Sequence, residues 1–226
     1  TSFKCDWSSD VCSSDLPDWR RGLLFGAALA GMTLSKFSGL VYFPAALLGC
    51  FLVWIWLERP GIRRALSAVR SALLPLALSI PVAFVLIWAG YRFSFGHAPW
   101  FSFPVPFPEL FSGIDQVRRH NAQGHLTYLL GSLSTEGWWL YFPVLFAVKT
   151  PIAVLAALAI GLAAGKLRKP ADSAAGWAPW LPWVVAAALF AVAINARINI
   201  GLRHLLPAFL FLSVGAAGGL LWLLRS

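Results

Sequence analysis

The segment GLVYFPAALLGCFLVWIWL, Gly39 to Leu57, decides the class of fold because it contains no charged side chain. A bilayer core of roughly 30 Å requires about 20 predominantly apolar residues in one helix. The composition of the whole chain agrees, since 59% of its 226 residues are hydrophobic and only 12% are charged. Soluble domains have about a quarter of their residues charged. The sequence therefore predicts a polytopic helical membrane protein.

Apolar segments of similar character recur along the chain and alternate with shorter charged stretches, of which 58–70 is expected to be a basic loop. The predicted fold is an all-α transmembrane helical bundle, and its two halves show no internal repeat. The longest polar stretch, 92–137, contains aromatic and proline residues, and we expect a partly structured extracytoplasmic loop there. The six predicted membrane segments lie near 22–35, 39–57, 71–91, 138–165, 177–195 and 204–224.

Basic residues orient these segments. The formal net charge of +9 would indicate nucleic-acid binding in a soluble protein. Here the cations separate apolar segments, so we expect no nucleic-acid partner. If the six segments alternate in direction, one side of the bilayer collects most cations, and the positive-inside rule makes that side cytoplasmic. These cations are Arg20, Arg21, Arg59, Arg63, Arg64, Arg70, Lys166, Arg168, Lys169 and Arg225.

A second group of cations lies on the extracytoplasmic side of the bilayer or within the bilayer, and these positions run against the positive-inside rule. Three of them, Lys36, Lys149 and Arg203, lie within or beside apolar sequence, where inserting a charge costs roughly 2.5–3.5 kcal/mol. The outward acids available to pair with this group are few, and the sequence therefore indicates an external anion. The cations are Lys36, Arg92, Arg118, Arg119, Lys149, Arg197 and Arg203, and the acids are Glu109, Asp115 and Glu136.

Two basic motifs are candidates for phosphate binding. Lys36 lies between serines and glycines at the outer turn of a tight helical hairpin, where an ammonium group can hold a phosphate as a point charge or extend to the interface. Arg197 and Arg203 flank a turn before a helix, and the guanidinium fork fits phosphate oxygens. Ordinary capping at the interface is the alternative for the arginines. Both alternatives stay open at this point.

The end of the outward loop combines aromatic rings with polar side chains. His120 and His125 are five residues apart, whereas a helical metal pair requires i,i+4 spacing and further ligands, so a divalent metal is disfavoured. Aromatic faces beside His, Asn, Gln and Glu are typical of a sugar site. A loop that packs on the membrane surface through its tryptophans is the alternative. Lys149 precedes a proline that frees backbone groups for a ligand or water.

The polar start of the chain, KCDWSSDVCSSDLPDW from Lys4 to Trp19, differs from everything that follows. It lacks the apolar core of a signal peptide. DWSSDVCSSDL can be back-translated into a sequence that looks like a common short-read sequencing adapter. We therefore expect residues 1–16 to be a non-native artefact segment, a Cys5–Cys12 disulfide to be fictitious, and the protein to be a fragment whose natural sequence upstream of Pro17 is absent.

Three motifs carry a resemblance to a known family. GLLFGAALAGMTLSKFSGLVYFP, GHLTYLLGSLSTEGWWLYFPVLFAVKTP and NIGLRHLLPAFLF, in this order, resemble the bacterial polyprenyl-phosphate-sugar-dependent glycosyltransferases of the GT-C superfamily. The similarity is to the protein O-mannosyltransferase and aminoarabinose-transferase type, and it covers essentially all of residues 17–226. It implies a multi-pass enzyme of the bacterial inner membrane with its site on the extracytoplasmic face. A hydroxyl of an acceptor protein, lipid or glycan would attack a sugar linked to a lipid phosphate.

The resemblance also suggests roles for individual residues, which we state as hypotheses. The general base is expected in an upstream outward loop, so no catalytic residue is assigned and no cofactor is expected beyond the lipid-linked donor. Cations would neutralise the leaving polyprenyl phosphate, since charge that develops in a low-dielectric site is where fixed cations help most. The phosphate-binding candidates are Lys36, Arg197 and Arg203. The candidates for sugar or acceptor contact are His125, Tyr128, Glu136, Trp139, Lys149 and His204.

Two other classes of protein remain possible from the sequence. A transporter or flippase of lipid-linked sugars would also need outward cations and a polar cavity, and it would show broken helices at the midplane. A non-catalytic membrane scaffold would have no energetic reason for lysine at positions 36 and 149. Neutral substitutions at those two positions would leave the function of a scaffold intact.

Overall fold

The computed structural model describes residues 18–124, 126–167, 178–197, 199 and 201–225. This part of the chain is mainly helical, which agrees with the all-α prediction. The described residues contain eight α-helices. They are α1 Asp18–Ser35, α2 Gly39–Glu58, α3 Ile62–Gly90, α4 Pro108–Gln123, α5 Tyr141–Lys149, α6 Ile152–Leu167, α7 Leu181–Ile194 and α8 Leu206–Arg225.

The predicted loop 92–137 contains α4 and two short antiparallel hairpins. The first hairpin pairs Phe95 with Pro106, and the second pairs Thr127 with Ser134. The strands are β1 Phe95–Gly96, β2 Val105–Pro106, β3 Thr127–Leu129 and β4 Ser132–Ser134.

Three helices of the described chain, α2, α3 and α8, are long and apolar enough to cross a bilayer. This supports the prediction of a membrane protein. The helix α7, with the 3₁₀ turn before it, is apolar but shorter, at Ala178–Ile194. The predicted segment 22–35 lies within α1, which is not among the three. The predicted count of six crossings therefore stays a prediction.

The predicted segment 138–165 is not one straight helix. The axes of α5 and α6 differ in direction by 109° across a short break. Pro151 cannot donate a backbone hydrogen bond and disfavours helical geometry in the residue before it, and Thr150 is accordingly extended at φ −86° and ψ 129°. If the bent pair is counted as one crossing, the described chain has up to four.

The prediction of a basic loop over 58–70 is wrong for most of its length. Pro60 and Gly61 separate α2 from α3, but α3 begins at Ile62 and includes Arg63, Arg64 and Arg70. Alanine, leucine and arginine all have high helix propensity, so the basic residues here continue a helix.

The described residues form two compact units. The first comprises the residues up to Val41 together with Pro60–Arg119. In it, a Cβ on Gly22 would lie 2.7 Å from the Cβ of Leu78, while a Cβ on Gly90 would lie 2.7 Å from the Leu34 side chain. Both contacts advance in the same direction, so α1 and the second half of α3 run parallel. The glycines permit the close approach that is usual between membrane helices.

The second unit comprises Tyr42–Arg59 and the described residues from His120 onward. One cluster of its core joins α2, α7 and α8 through Tyr42, Val185 and Ala208. A second cluster joins α5 and α7 to the start of α8, and it is built from Tyr141, Phe142, Ala193 and Leu205. This second cluster lies beneath the connection between α7 and α8 and supports the site described next.

Candidate functional site

The connection from α7 to α8, which we call the arginine loop (residues 195–203, with Ile198 and Ile200 outside the described residues), is held at several points. The backbone N–H of Arg197 donates to Oδ1 of Asn121 at 3.1 Å. The hydroxyl of Thr127, on β3, donates to the backbone carbonyl of Asn199 at 3.5 Å. Both partners precede the loop by more than 70 residues, so tertiary contacts hold this backbone.

Asn199 is the central residue of the arginine loop, and its side chain is only 3% exposed. In the amide orientation that satisfies both ends, the oxygen accepts from the backbone N–H of Trp138 at 2.7 Å and the nitrogen donates to the carbonyl of Ala196 at 3.2 Å. A buried amide without such partners would cost about 1–3 kcal/mol. Asn199 therefore joins the arginine loop to the start of the α5 region.

Two glycines with positive φ flank the second hairpin, and one of them, Gly137, lies against the arginine loop. Gly137 has φ +78°, and a Cβ there would lie 3.2 Å from the Cα of Arg197 and 3.0 Å from the side-chain amide of Asn199. Gly124 has φ +73°, and a Cβ there would overlap the carbonyl oxygen of Thr135. Glycine occupies this region of φ without the strain that other residues meet, so the turns on both sides of the second hairpin depend on it.

Arg197 and Arg203 are exposed, while Asn199 between them is buried. Neither guanidinium forms an ion pair with an acidic side chain of the described residues. Gly201, at φ +113°, precedes the 3₁₀ turn Leu202–His204, from which α8 continues. The arginine loop thus presents two cations without an acidic partner among the described residues, on a backbone that is hydrogen-bonded at Arg197 and Asn199.

His204 lies at the root of the arginine loop. Its backbone carbonyl accepts a hydrogen bond from the Tyr42 hydroxyl at 3.1 Å, and its ring meets the Phe142 ring edge-on at 6.3 Å between centroids. The residue is half-buried. The geometry gives His204 a part in packing α2 and α5 against the start of α8, and its predicted contact with sugar or acceptor stays a prediction.

Three of the predicted sugar-contact residues lie next to elements that touch the arginine loop. Tyr128 is on β3 and is 65% exposed, and Trp139 is 69% exposed. Glu136 is exposed and immediately precedes Gly137, which packs closely against the backbone of Arg197. His125 lies outside the described residues. The second hairpin and the residues 136–139 therefore bring aromatic, acidic and basic side chains to one region of the second unit.

Lys149 is exposed at the C-terminus of α5, directly before the break. Beside it, the hydroxyl of Thr150 is buried and has no hydrogen-bond partner in the described chain, and the residue is 4% exposed. The indole N–H of Trp138 is likewise buried without a partner there. Each such donor costs about 1–3 kcal/mol, so the ends of α5 contain polar groups that its packing leaves unsatisfied.

Lys36 belongs to the first unit and the two arginines to the second. Lys36 follows the last residue of α1, where its backbone N–H donates to the carbonyl of Met32 at 3.0 Å, and its side chain is exposed. It forms no ion pair with an acidic side chain in the ranges described above.

The expectation of an unpaired surplus of outward cations is wrong for Arg118 and Arg119. Both donate to the carboxylate of Asp115, Arg118 at 3.1 Å and Arg119 at 2.6 Å. The hydrogen bond from Arg119, followed by that from Arg118 and both positive charges, lowers the pKa of Asp115. The three residues occupy adjacent turns of α4, where side chains three and four apart face each other. Arg118 and Arg119 are therefore paired with an acidic side chain of their own helix, α4.

Sequence reasoning did not find the supporting residues of this site. Thr127 and Gly137 lie within one of the quoted motifs and Asn121 lies just before it, but their supporting role depends on which distant backbone lies beside them. A different hollow, walled by Gly165, Trp183 and Trp222, is apolar and includes none of the predicted site residues. Within the described residues, no three His, Cys, Asp or Glu side chains cluster so as to hold a metal ion.

Comparisons with protein-family profiles, with curated proteins and with solved structures found no match to this chain. The function is therefore inferred from the residues of the chain and from the resemblance of its motifs.

Proposed function

We propose that the chain transfers a sugar from a polyprenyl-phosphate-linked donor to an acceptor hydroxyl on the extracytoplasmic face of a bacterial inner membrane. The observation that carries the proposal is the arginine loop, which presents Arg197 and Arg203 exposed and without an acidic partner in the described chain. In this proposal all six apolar segments cross the bilayer, and loop 92–137 faces outward.

The chemistry of the donor explains why fixed cations would help. When the bond between the anomeric carbon and the phosphate oxygen breaks, negative charge develops on the departing lipid phosphate. Cations that are already oriented stabilise this charge without reorganising. Because the backbone of Arg197 is tied to Asn121 and Gly137 packs against its Cα, the guanidinium extends from a fixed base. Arg203 would complete the phosphate contacts of the second unit, and Lys36 stays a phosphate-binding candidate within the first unit.

The sugar and the acceptor would be held beside this phosphate site. Tyr128 and Trp139 offer exposed aromatic faces, and Glu136 offers a carboxylate next to Gly137. Sugars stack their apolar faces on aromatic rings and use their hydroxyls for hydrogen bonds. His125, Lys149 and His204 are further contacts in this proposal.

A transporter of lipid-linked sugars is the second candidate, and the break between α5 and α6 is the observation that favours it. Discontinuous helices surround the substrate sites of many transporters, and the break here bends the chain by 109° next to the unsatisfied hydroxyl of Thr150. In such a protein the arginines would bind the lipid phosphate without cleavage of the glycosidic bond.

Direct binding of undecaprenyl phosphate tests the phosphate contact. The purified chain in lipid nanodiscs is titrated with undecaprenyl phosphate and, separately, with undecaprenol, which lacks the phosphate. We expect the phosphate to bind more tightly, and Arg197→Ala or Arg203→Ala to weaken its binding by about tenfold or more, since hydrogen bonds to charged groups contribute about 1.5–3 kcal/mol. Arg225→Ala, at the other end of α8, is the matched control and should leave binding unchanged.

Equal binding of the phosphate and the alcohol by the unmodified chain would refute the phosphate site. Proteoliposomes that contain a labelled lipid-linked sugar then separate the two functions. A transferase releases free polyprenyl phosphate and labels an acceptor, whereas a transporter moves the intact lipid-linked sugar between leaflets.

A further inference from the structure

The first part of α3 differs from the rest of the helix in its surroundings. With 29 residues and a rise of about 1.5 Å per residue, α3 is ~44 Å long, which exceeds the roughly 30 Å hydrocarbon core. Every residue from Ile62 to Leu74 except Ala65 is exposed, whereas the carbonyl of Pro75 would lie 3.0 Å from a Cβ on Gly22 in α1 and Ser79 is buried. Residues 62–73, which we call the basic extension, therefore precede the part of α3 that packs in the first unit.

The basic extension carries an aliphatic stripe that no described residue covers. The stripe side chains recur at spacings of four, three and four residues, which places them on one face of a helix. Ile62 is 80% exposed and Leu66 is 52% exposed, and the other two members are similarly open. An uncovered stripe of this kind would be unfavourable in water, because aliphatic side chains are stabilised by leaving water. The stripe is Ile62, Leu66, Val69 and Leu73.

Two arginines lie beside this stripe on a common face. Arg63 and Arg70 are seven residues apart, which is two helical turns or about 10.5 Å along the axis. Both are exposed, and neither forms an ion pair with an acidic side chain of the described chain. An aliphatic stripe flanked by arginines is the pattern of a helix that lies at a bilayer surface containing anionic lipid.

The position of Pro75 allows this arrangement. Proline inside a helix removes one backbone hydrogen bond and lets the helix bend there, and Pro75 follows the basic extension within α3. Because α3 is ~44 Å long and the hydrocarbon core is roughly 30 Å thick, ~14 Å of this apolar helix extends past the core, so its basic start lies at the level of the lipid headgroups.

We propose that the basic extension of α3 binds anionic phospholipid at the bilayer surface, with the aliphatic stripe in the interface and Arg63 and Arg70 on the headgroup phosphates. Arg63 and Arg70 belong to the first unit, whereas Arg197 and Arg203 belong to the second. The lipid contact anchors the start of α3 and selects the lipid around the protein.

Lipid retention tests the charge contact. The chain is placed in nanodiscs made of equal amounts of phosphatidylcholine and phosphatidylglycerol, and the lipids that remain bound after release are counted by native mass spectrometry. We expect the bound lipid to be enriched in phosphatidylglycerol, and the enrichment to fall about fivefold for each of Arg63→Gln and Arg70→Gln. Arg118→Gln, at an exposed arginine whose charge is paired with Asp115 within α4, should not reduce it. No enrichment, or an equal loss in the control, would overturn the proposal.

The depth of the stripe provides a second measurement that does not depend on folding of the arginine variants. Nitroxide labels are attached at Leu66→Cys and Ala68→Cys, which lie on opposite faces, in a chain whose other cysteines are serine. In anionic vesicles we expect the label at position 66 to be reached by oxygen more than by a water-soluble nickel chelate, and the label at 68 to show the reverse. If both labels were equally open to the chelate, a lipid contact would be excluded. The same would follow if the label at 66 were shielded in zwitterionic detergent by binding of a second protein, since no anionic lipid is present there.

Discussion

Replacing Gly219 by alanine tests the contact that joins α6 to α8. A Cβ at position 219 would lie 2.5 Å from the carbonyl oxygen of Gly161 and 2.6 Å from its Cα. These are backbone atoms, so rotation of a side chain cannot relieve the overlap. Carbon atoms pack best at about 3.5–4.0 Å, and the two helices must therefore separate by about 1 Å at this point.

The size of the effect follows from this separation. Overpacking of a close contact costs about 1–3 kcal/mol, and we expect the upper half of that range because both obstructing atoms are backbone. In a chain of this size each kcal/mol lowers the unfolding midpoint by about 2–4 °C, so Gly219→Ala should lower it by about 4–12 °C. Thermal unfolding in detergent, followed by tryptophan fluorescence, measures the shift.

The neighbouring glycine offers a matched control. A Cβ on Gly218 would meet no atom within 4 Å, so Gly218→Ala changes the same helix without a clash. Alanine is favoured over glycine in a helix by about 0.5–1 kcal/mol, and this gain applies to both variants. We expect Gly218→Ala to be neutral or slightly stabilising. Equal midpoints for the two variants would show that glycine at 219 is not required for the contact.

Two further predictions concern polar groups outside the membrane helices. The pKa of Asp115 is lowered from its ordinary value of 3.8, first by the hydrogen bond from Arg119, so its stabilising contribution is present above that value and is lost as the pH falls through the lower pKa of the folded state. Asp115→Asn should therefore weaken the acid dependence of the unfolding midpoint, and an unchanged pH profile between pH values of about 2 and 6 would contradict this. Asn199→Ala leaves the Trp138 N–H and the Ala196 carbonyl without their partner, and we expect a loss of about 1–3 kcal/mol in the free energy of unfolding. Denaturant titration measures that loss, and a change below about 0.5 kcal/mol would show that water replaces the amide.

The helices could be predicted from the sequence to different degrees. The segment 39–57 was predicted almost to its ends, because a continuous apolar run without a charged side chain has one stable form in a bilayer, and the helix continues through Pro44. The start of α3 was not predicted, because arginines were interpreted as loop residues although their helix propensity is high. The break at Thr150 followed from Pro151 as a local effect, but the angle of the bend depends on the packing of Phe142 and Leu205 in the core beneath.

The candidate site shows the same division. Lone cations in apolar sequence were visible from composition, and the sequence alone indicated that they require an anion. Whether a given cation forms an ion pair depends on which acidic side chains lie near it in the folded chain. Arg118 and Arg119 form ion pairs with Asp115 within one helix. Arg197 and Arg203 form no ion pair with an acidic side chain of the described residues.

By itself, the sequence determined that this chain is a helical membrane protein, since apolar runs of bilayer length cannot satisfy their backbone groups in lipid except as helices. Only the tertiary structure decided that Asn121, Thr127 and Gly137 hold the arginine loop. The reason is physical: a hydrogen bond between residues more than 70 positions apart depends on how whole helices pack, and no local pattern of side chains encodes that packing.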